Sequence, residues 1–223
     1  MITPNLKSPL VPLINRASVL LLAAGLAGCA SPGYRKSDSA ARSMQTAAAE
    51  VQAESRAIDL TLGSLKDLET EPGADLKQPY RHFSASLEHL IACARRTQNT
   101  GKAMAEKNAV YLQAWDKQLD AISFEHIRDL SQARRTEVAN RMAAINQRYQ
   151  QSQQVVEPLI SYLLDIRRAL GSDLTTGGLG SMKEIVENAG TNAAKVQSAL
   201  NALTGELANS GTQMLSWALQ AKE

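Results

Sequence analysis

Apolar residues recur along this chain in alternating steps of four and three, and that period commits it to long α-helices packed side by side. The first such line is Met44, Ala48, Val51, Ser55, Ile58, Leu62 and Leu65. It ends at Glu71-Pro72-Gly73, a turn signal, after which Asp75 is placed to cap a second helix with Gln78 in the capping-box position. The second line runs Leu76, Tyr80, Phe83, Leu87, Leu90, Ala94, Thr97, Gly101, Met104, Asn108, Tyr111, Trp115, Gln118 and Ile122. Its phase holds over about 45 residues, roughly 70 Å of helix, longer than a compact domain of this size is wide. The fold is therefore expected to be elongated. Thr97, Gly101 and Asn108 weaken the middle of the line, and polar seam residues of this kind serve to set register.

Ser123 is expected to cap the third helix. After an irregular stretch from Ile127 to Arg135 its seam is Val138, Met142, Ile145, Tyr149, Ser152, Val156, Leu159, Leu163, Ile166 and Leu170. Pro158 falls inside it, and because the phase is the same on both sides, one bent helix is expected rather than two. Gly171 is the expected stop. Residues 175–180, Thr-Thr-Gly-Gly-Leu-Gly, lack the preceding strand and the Gly-Lys-Ser/Thr ending of a phosphate-cradling loop, so they read as a helix–helix connection. A threonine there or Ser181, with Glu184 three residues on, caps a last helix with Met182, Val186, Ala189, Ala193, Val196, Leu200, Leu203 and Leu207 on its seam. Gly190 and Gly205 make that helix intrinsically the weakest. Four seams with short connections and no competing strand signal predict an all-α fold, an elongated antiparallel four-helix bundle with coiled-coil heptad seams over residues 37–210.

Residues 1–28 have a different character. Lys7 and Arg16 sit in a polar opening stretch without acidic residues, followed by the apolar run Ala17 to Leu26, too short for the roughly 20 residues that span a bilayer. This is the pattern of a secretory signal peptide. Its end, Leu26-Ala27-Gly28-Cys29, resembles the lipobox of bacterial lipoproteins, where small residues admit the backbone to the signal peptidase and the thiol takes a diacylglycerol. Cys29 is thus the expected lipid-attachment residue, and two or three acyl chains give durable anchoring. An aspartate after the modified cysteine tends to retain such proteins at the inner membrane; here that residue is Ala30, so the resemblance implies the periplasmic face of the outer membrane. Residues 29–36 read as a tether. Residues 211–223 form a tail containing the apolar run Met214 to Leu219, expected to dock on the bundle in preference to touching a membrane or partner.

Charge narrows the function. The 24 basic and 22 acidic residues of the whole chain become 22 against 22 once the signal is removed, so nothing drives the protein toward nucleic acid. With Cys29 acylated, Cys93 has no disulfide partner and reads as a small buried hydrophobe, with Arg95 and Arg96 on other helical faces. His82, His89 and His126 lack the i, i+4 or clustered spacing of zinc ligands. Neither a nucleophile elbow nor a cofactor motif occurs.

Leu65-Lys66-Asp67-Leu68, Ala114-Trp115-Asp116-Lys117-Gln118-Leu119 with Ile122-Ser123, Arg135-Thr136-Glu137-Val138, and Asp165-Ile166-Arg167 leading to Asp173-Leu174-Thr175 resemble stretches of a bacterial family of helical envelope lipoproteins catalogued as a domain of unknown function. The resemblance spans about residues 40 to 208. It implies a periplasm-facing coiled-coil fold and brings no catalytic residues.

The expected role is therefore non-enzymatic: a lipid-anchored envelope scaffold, spacer or protein-interaction module, attached to the membrane and meeting an envelope protein partner. The alternative is a module for an anionic envelope ligand, a lipid head group or cell-wall polymer, captured by the dibasic steps Arg95-Arg96, Arg134-Arg135 and Arg167-Arg168, or held at the polar mid-seam. The seams can close within one chain or between chains.

Overall fold

The computed structural model describes residues 32–70 and 75–215, and these are helical throughout apart from short connections. The expected signal segment, Cys29, the turn at Glu71-Pro72-Gly73 and the tail from residue 216 lie outside the described residues. Five helices follow in order: α1 (Pro32–Thr70), α2 (Lys77–Leu119), α3 (Glu125–Ser172), α4 (Thr176–Ser181) and α5 (Lys183–Met214). No strand occurs among the described residues.

The third seam is buried at every expected position, from Val138 to Leu170. Pro158 stays inside that uninterrupted 48-residue helix and is exposed, so its missing N–H faces away from the packed interior. The helix starts thirteen residues earlier than its buried line. Glu125 to Glu137 are helical but touch little, which accounts for the lack of an apolar period there. In α2 the expected line is buried or half-buried from Leu76 to Trp115; Gln118 is exposed and Leu119 takes its place as the helix ends.

Several boundaries differ from expectation. α1 begins at Pro32, inside the stretch expected to be tether, because a proline suits the first helical position, where no N–H partner exists. Leu76, not Asp75, is the residue ahead of α2, although the Asp75 carboxylate does accept the Lys77 amide at 3.0 Å. Phe124, not Ser123, is the residue ahead of α3, and its side chain caps nothing. Thr175 does cap, accepting the Gly178 amide, but the helix it starts is the six-residue α4; Ser181 instead donates back to the Gly178 carbonyl. Gly171 lies one residue inside the end of α3. Gly211 does not begin a tail: it is buried in α5, where an added Cβ would lie 3.0 Å from the Ala41 carbonyl oxygen, so its missing side chain lets α5 approach α1. Met214 then accepts from the Ser37 hydroxyl at 2.7 Å, so the start of the apolar run docks against α1.

α1 is buried far more broadly than its seam predicts. Besides that line, Ala40, Ala47, Glu54, Thr61 and Leu68 are buried, a second stripe spaced by seven. The reason is its neighbours: α1 hydrogen-bonds α2 through Thr97 to the Glu50 carbonyl, α3 through Gln153 to Glu54, and α5 through Ser37 and Asp59. One apolar core contains residues from all the helices.

Candidate functional site

The weak middle of the second seam is where the interior becomes polar. Gly101 leaves a gap on α2 that the Tyr149 ring of α3 fills: a Cβ on Gly101 would lie 2.3 Å from Tyr149 Cε1. Through that gap the Tyr149 hydroxyl donates to the Thr97 carbonyl oxygen at 2.5 Å. Burial, with the Glu54 and Glu50 carboxylates nearby, raises the Tyr149 pKa far above the phenol range.

Glu54, from the unexpected stripe on α1, closes this layer. It has no exposed surface, and Oε1 has no hydrogen-bond partner. Oε2 accepts from the Gln153 amide at 3.4 Å. The Thr97 hydroxyl donates to the Glu50 carbonyl at 3.3 Å and lies beside the Glu54 carboxylate. Burial raises the Glu54 pKa, and the Thr97 and Gln153 contacts only partly offset it. Seven residues beyond Gly101, Asn108 is buried with neither amide atom partnered. Beside this layer a groove of about 340 Å³ opens to solvent, lined by Gly101, Lys102, Asn146, Tyr149, Gln150 and Gln153 among others.

The sequence signal for Thr97, Gly101 and Asn108 was their seam position. Glu54 escaped that reading because it sits one residue from Ser55, the seam member. The seven-residue spacing of Ala47, Glu54, Thr61 and Leu68 was the signal that could have found it.

The arginine steps are not brought together. Arg96 pairs with Glu50, Arg134 with Glu137, Arg167 with Glu88 and Arg168 with Asp165. Arg135 donates from Nη2 to Asp116 Oδ2 at 2.9 Å, while its Nε, 2.8 Å from Oδ1, is out of line for donation. Arg95 is exposed. The partners place the three steps at separate levels along α2, near Glu88, Arg95 and Asp116. At 1.5 Å per residue, 95 and 116 are roughly 30 Å apart.

Cys93 is buried, as expected, and unpaired. Its sulfur nevertheless meets polar neighbours about one turn away on its own helix, the Arg96 guanidinium through Nη2 at 3.2 Å and His89 Nε2 at 3.6 Å, so Arg96 does not point elsewhere. All three histidines are exposed, and among the described residues no His, Cys, Asp or Glu groups form a metal cluster. No described helix is long and apolar enough to cross a membrane.

The family described as "Protein of unknown function (DUF2959)" matches residues 28–212. The chain belongs to the DUF2959 family. The matched span takes in the polar layer, all the arginine steps and every described helix almost in full. No curated protein and no solved structure matches this DUF2959 chain.

Proposed function

We propose that this chain is a lipid-anchored envelope protein that acts without chemistry of its own, as a scaffold, spacer or protein-interaction module. Its fold in this reading is an antiparallel four-helix bundle of α1, α2, α3 and α5, held by Cys29 to the periplasmic face of the outer membrane. The antiparallel order draws support from pairs that run in opposite numerical order on each helix pair. Between α1 and α2 these are Glu50 with Thr97 and Thr61 with Ser86; between α2 and α3, Tyr80 with Arg167, Thr97 with Tyr149 and Trp115 with Ser131. Between α3 and α5 they are Arg148 with Glu206 and Tyr162 with Ile185, and between α1 and α5, Ser37 with Met214 and Asp59 with Gln197.

The observation that carries the scaffold reading is the unbroken buried line of α3, ten positions from Val138 to Leu170. An interior filled by its own side chains leaves the outer surface as what a partner meets. The family match begins at Gly28, the residue before Cys29, which fits a mature chain starting at that cysteine. Proximity crosslinking in the native envelope tests the role: specific envelope proteins should be enriched over those captured by an unrelated lipoprotein, and equal enrichment would end the proposal.

The groove beside Tyr149 favours a second reading, a binding module for an envelope lipid or metabolite. Native mass spectrometry of protein taken from its own envelope separates the two. A stoichiometric non-covalent adduct lost in Gln153→Leu supports the module, and the mass of the acylated polypeptide alone supports the scaffold.

A further inference from the structure

The large apolar side chains left exposed are not spread evenly. Phe124, Ile127 and Leu130 are 75%, 54% and 62% exposed at the α2–α3 hairpin tip, and Tyr34 is half-exposed at the start of α1. At the opposite end, where α1 meets α2 and where α3 meets α5, no large apolar side chain is exposed among the described residues. Ile127 and Leu130, three apart, lie on one side of the first turns of α3, and Phe124 stands at the tip immediately before that helix. The tip is also fixed in place: Trp115 donates to the Ser131 hydroxyl at 3.0 Å, and Arg135 pairs with Asp116.

The pairing of helices places this tip at the same end as the start of α1, and beyond it. Counting from Glu50 and Thr97, which touch, α2 continues past the level of Gly33 by roughly 8 Å at 1.5 Å per residue. Ser37 meets Met214, and its neighbour Gln213 meets Arg141; counting from there, the start of α3 passes Gly33 by roughly 18 Å. Cys29 is four residues before Gly33 in the sequence, so however the intervening residues run, they reach at most about 14 Å. An acylated Cys29 therefore cannot hold the tip far from the bilayer.

On the reading that Cys29 is lipid-anchored, we propose that Phe124, Ile127 and Leu130 form a second membrane contact, inserted at the headgroup level of the same bilayer. The surrounding charges are mixed, with Glu125 and Asp129 beside Arg128, so the contact is apolar and independent of anionic lipid. It orients the bundle on the membrane. Three side chains are too few to hold the protein alone, so the contact depends on the anchor.

The test uses the acylated full chain in Cys93→Ala background, reconstituted into phosphatidylcholine vesicles, with an environment-sensitive fluorophore on Phe124→Cys or, as control, on exposed Leu60→Cys. The label at 124 should shift to the blue and be quenched by headgroup-level spin-labelled lipid, equally with and without anionic lipid, while the label at 60 should not. On the unaltered chain, amide exchange over 120–131 should slow when vesicles are present. Vesicle-bound protein with a water-exposed label at 124 would overturn the proposal and leave the anchor intact. Protein that fails to float with vesicles would overturn the anchor reading first. A label at 124 shielded without lipid would overturn it too: independence of protein concentration would identify the chain's own tail as the cover, and dependence on it a second copy.

Discussion

The Tyr149 hydroxyl reaches the Thr97 carbonyl oxygen only because Gly101 has no side chain in its path. A glycine that costs helix propensity on α2 is thereby the socket of an aromatic side chain from α3, and the buried polar layer is organised around that fit.

Gly101→Ala tests the socket. Alanine is worth about 1 kcal/mol more than glycine in a helix interior. If the ring could move aside freely, the variant would gain stability. The 2.3 Å approach to Tyr149 predicts the opposite sign, a loss of about 1–3 kcal/mol from overpacking. In a chain of this size that lowers the melting temperature by roughly 2–4 °C per kcal/mol. Truncating the ring in Tyr149→Leu should remove most of the penalty, a non-additivity measured by thermal unfolding of the two single variants and the double.

Glu54 should give the fold a pH dependence of unusual sign. Its folded pKa is raised, chiefly by burial, so the native state holds the proton at pH values where the unfolded chain has released it. Stability therefore falls as pH rises from the ordinary carboxyl range through the raised value, and the penalty is fully present above that. Glu54→Gln should be more stable than the parent at pH 7.5, by about 1–3 kcal/mol for relief of an incompletely partnered buried group. The advantage should shrink on titration toward pH 5. Parallel denaturant curves across that range measure it; a difference independent of pH would mean that Glu54 keeps an ordinary pKa.

Asn108 carries two unpartnered amide atoms inside an otherwise apolar stretch. Asn108→Leu should raise stability by about 1–3 kcal/mol. If the amide holds the helices in register, the same variant should show extra oligomeric species or broadened NMR resonances, since polar seam residues trade stability for specificity. Sedimentation velocity beside thermal unfolding reads both effects.

Most of the fold was legible because a single buried seam leaves a clean period. α3 meets α1, α2 and α5 through one apolar line, and all ten expected positions are buried. α1 buries a second stripe beside its seam, and because that stripe mixes Ala40, Ala47, Glu54, Thr61 and Leu68 it leaves no apolar period to read, so Glu54 was hidden with it. Where a helix has few neighbours there is no period to read, so the start of α3 looked irregular while being helical. Glycine position misleads in a related way: the expected tail begins at Gly211, but that residue lies within α5, where its lack of a side chain serves a close approach to α1. Of the candidate site, the polar seam positions were visible and their meaning was not. A one-dimensional pattern marks Gly101 as a weak point but cannot say which ring from another helix occupies it.

The measurement that bears most directly on the lipid-anchored reading compares the chain with Cys29→Ser in didermal cells fed labelled palmitate. The native chain should incorporate label, begin at Cys29 after processing and sediment with the outer membrane. Cys29→Ser should carry no label and appear in the soluble periplasmic fraction, with the helical circular dichroism and cooperative unfolding of the native chain. A Cys29→Ser protein that still sediments with the membrane, or a native chain without label, would contradict the account.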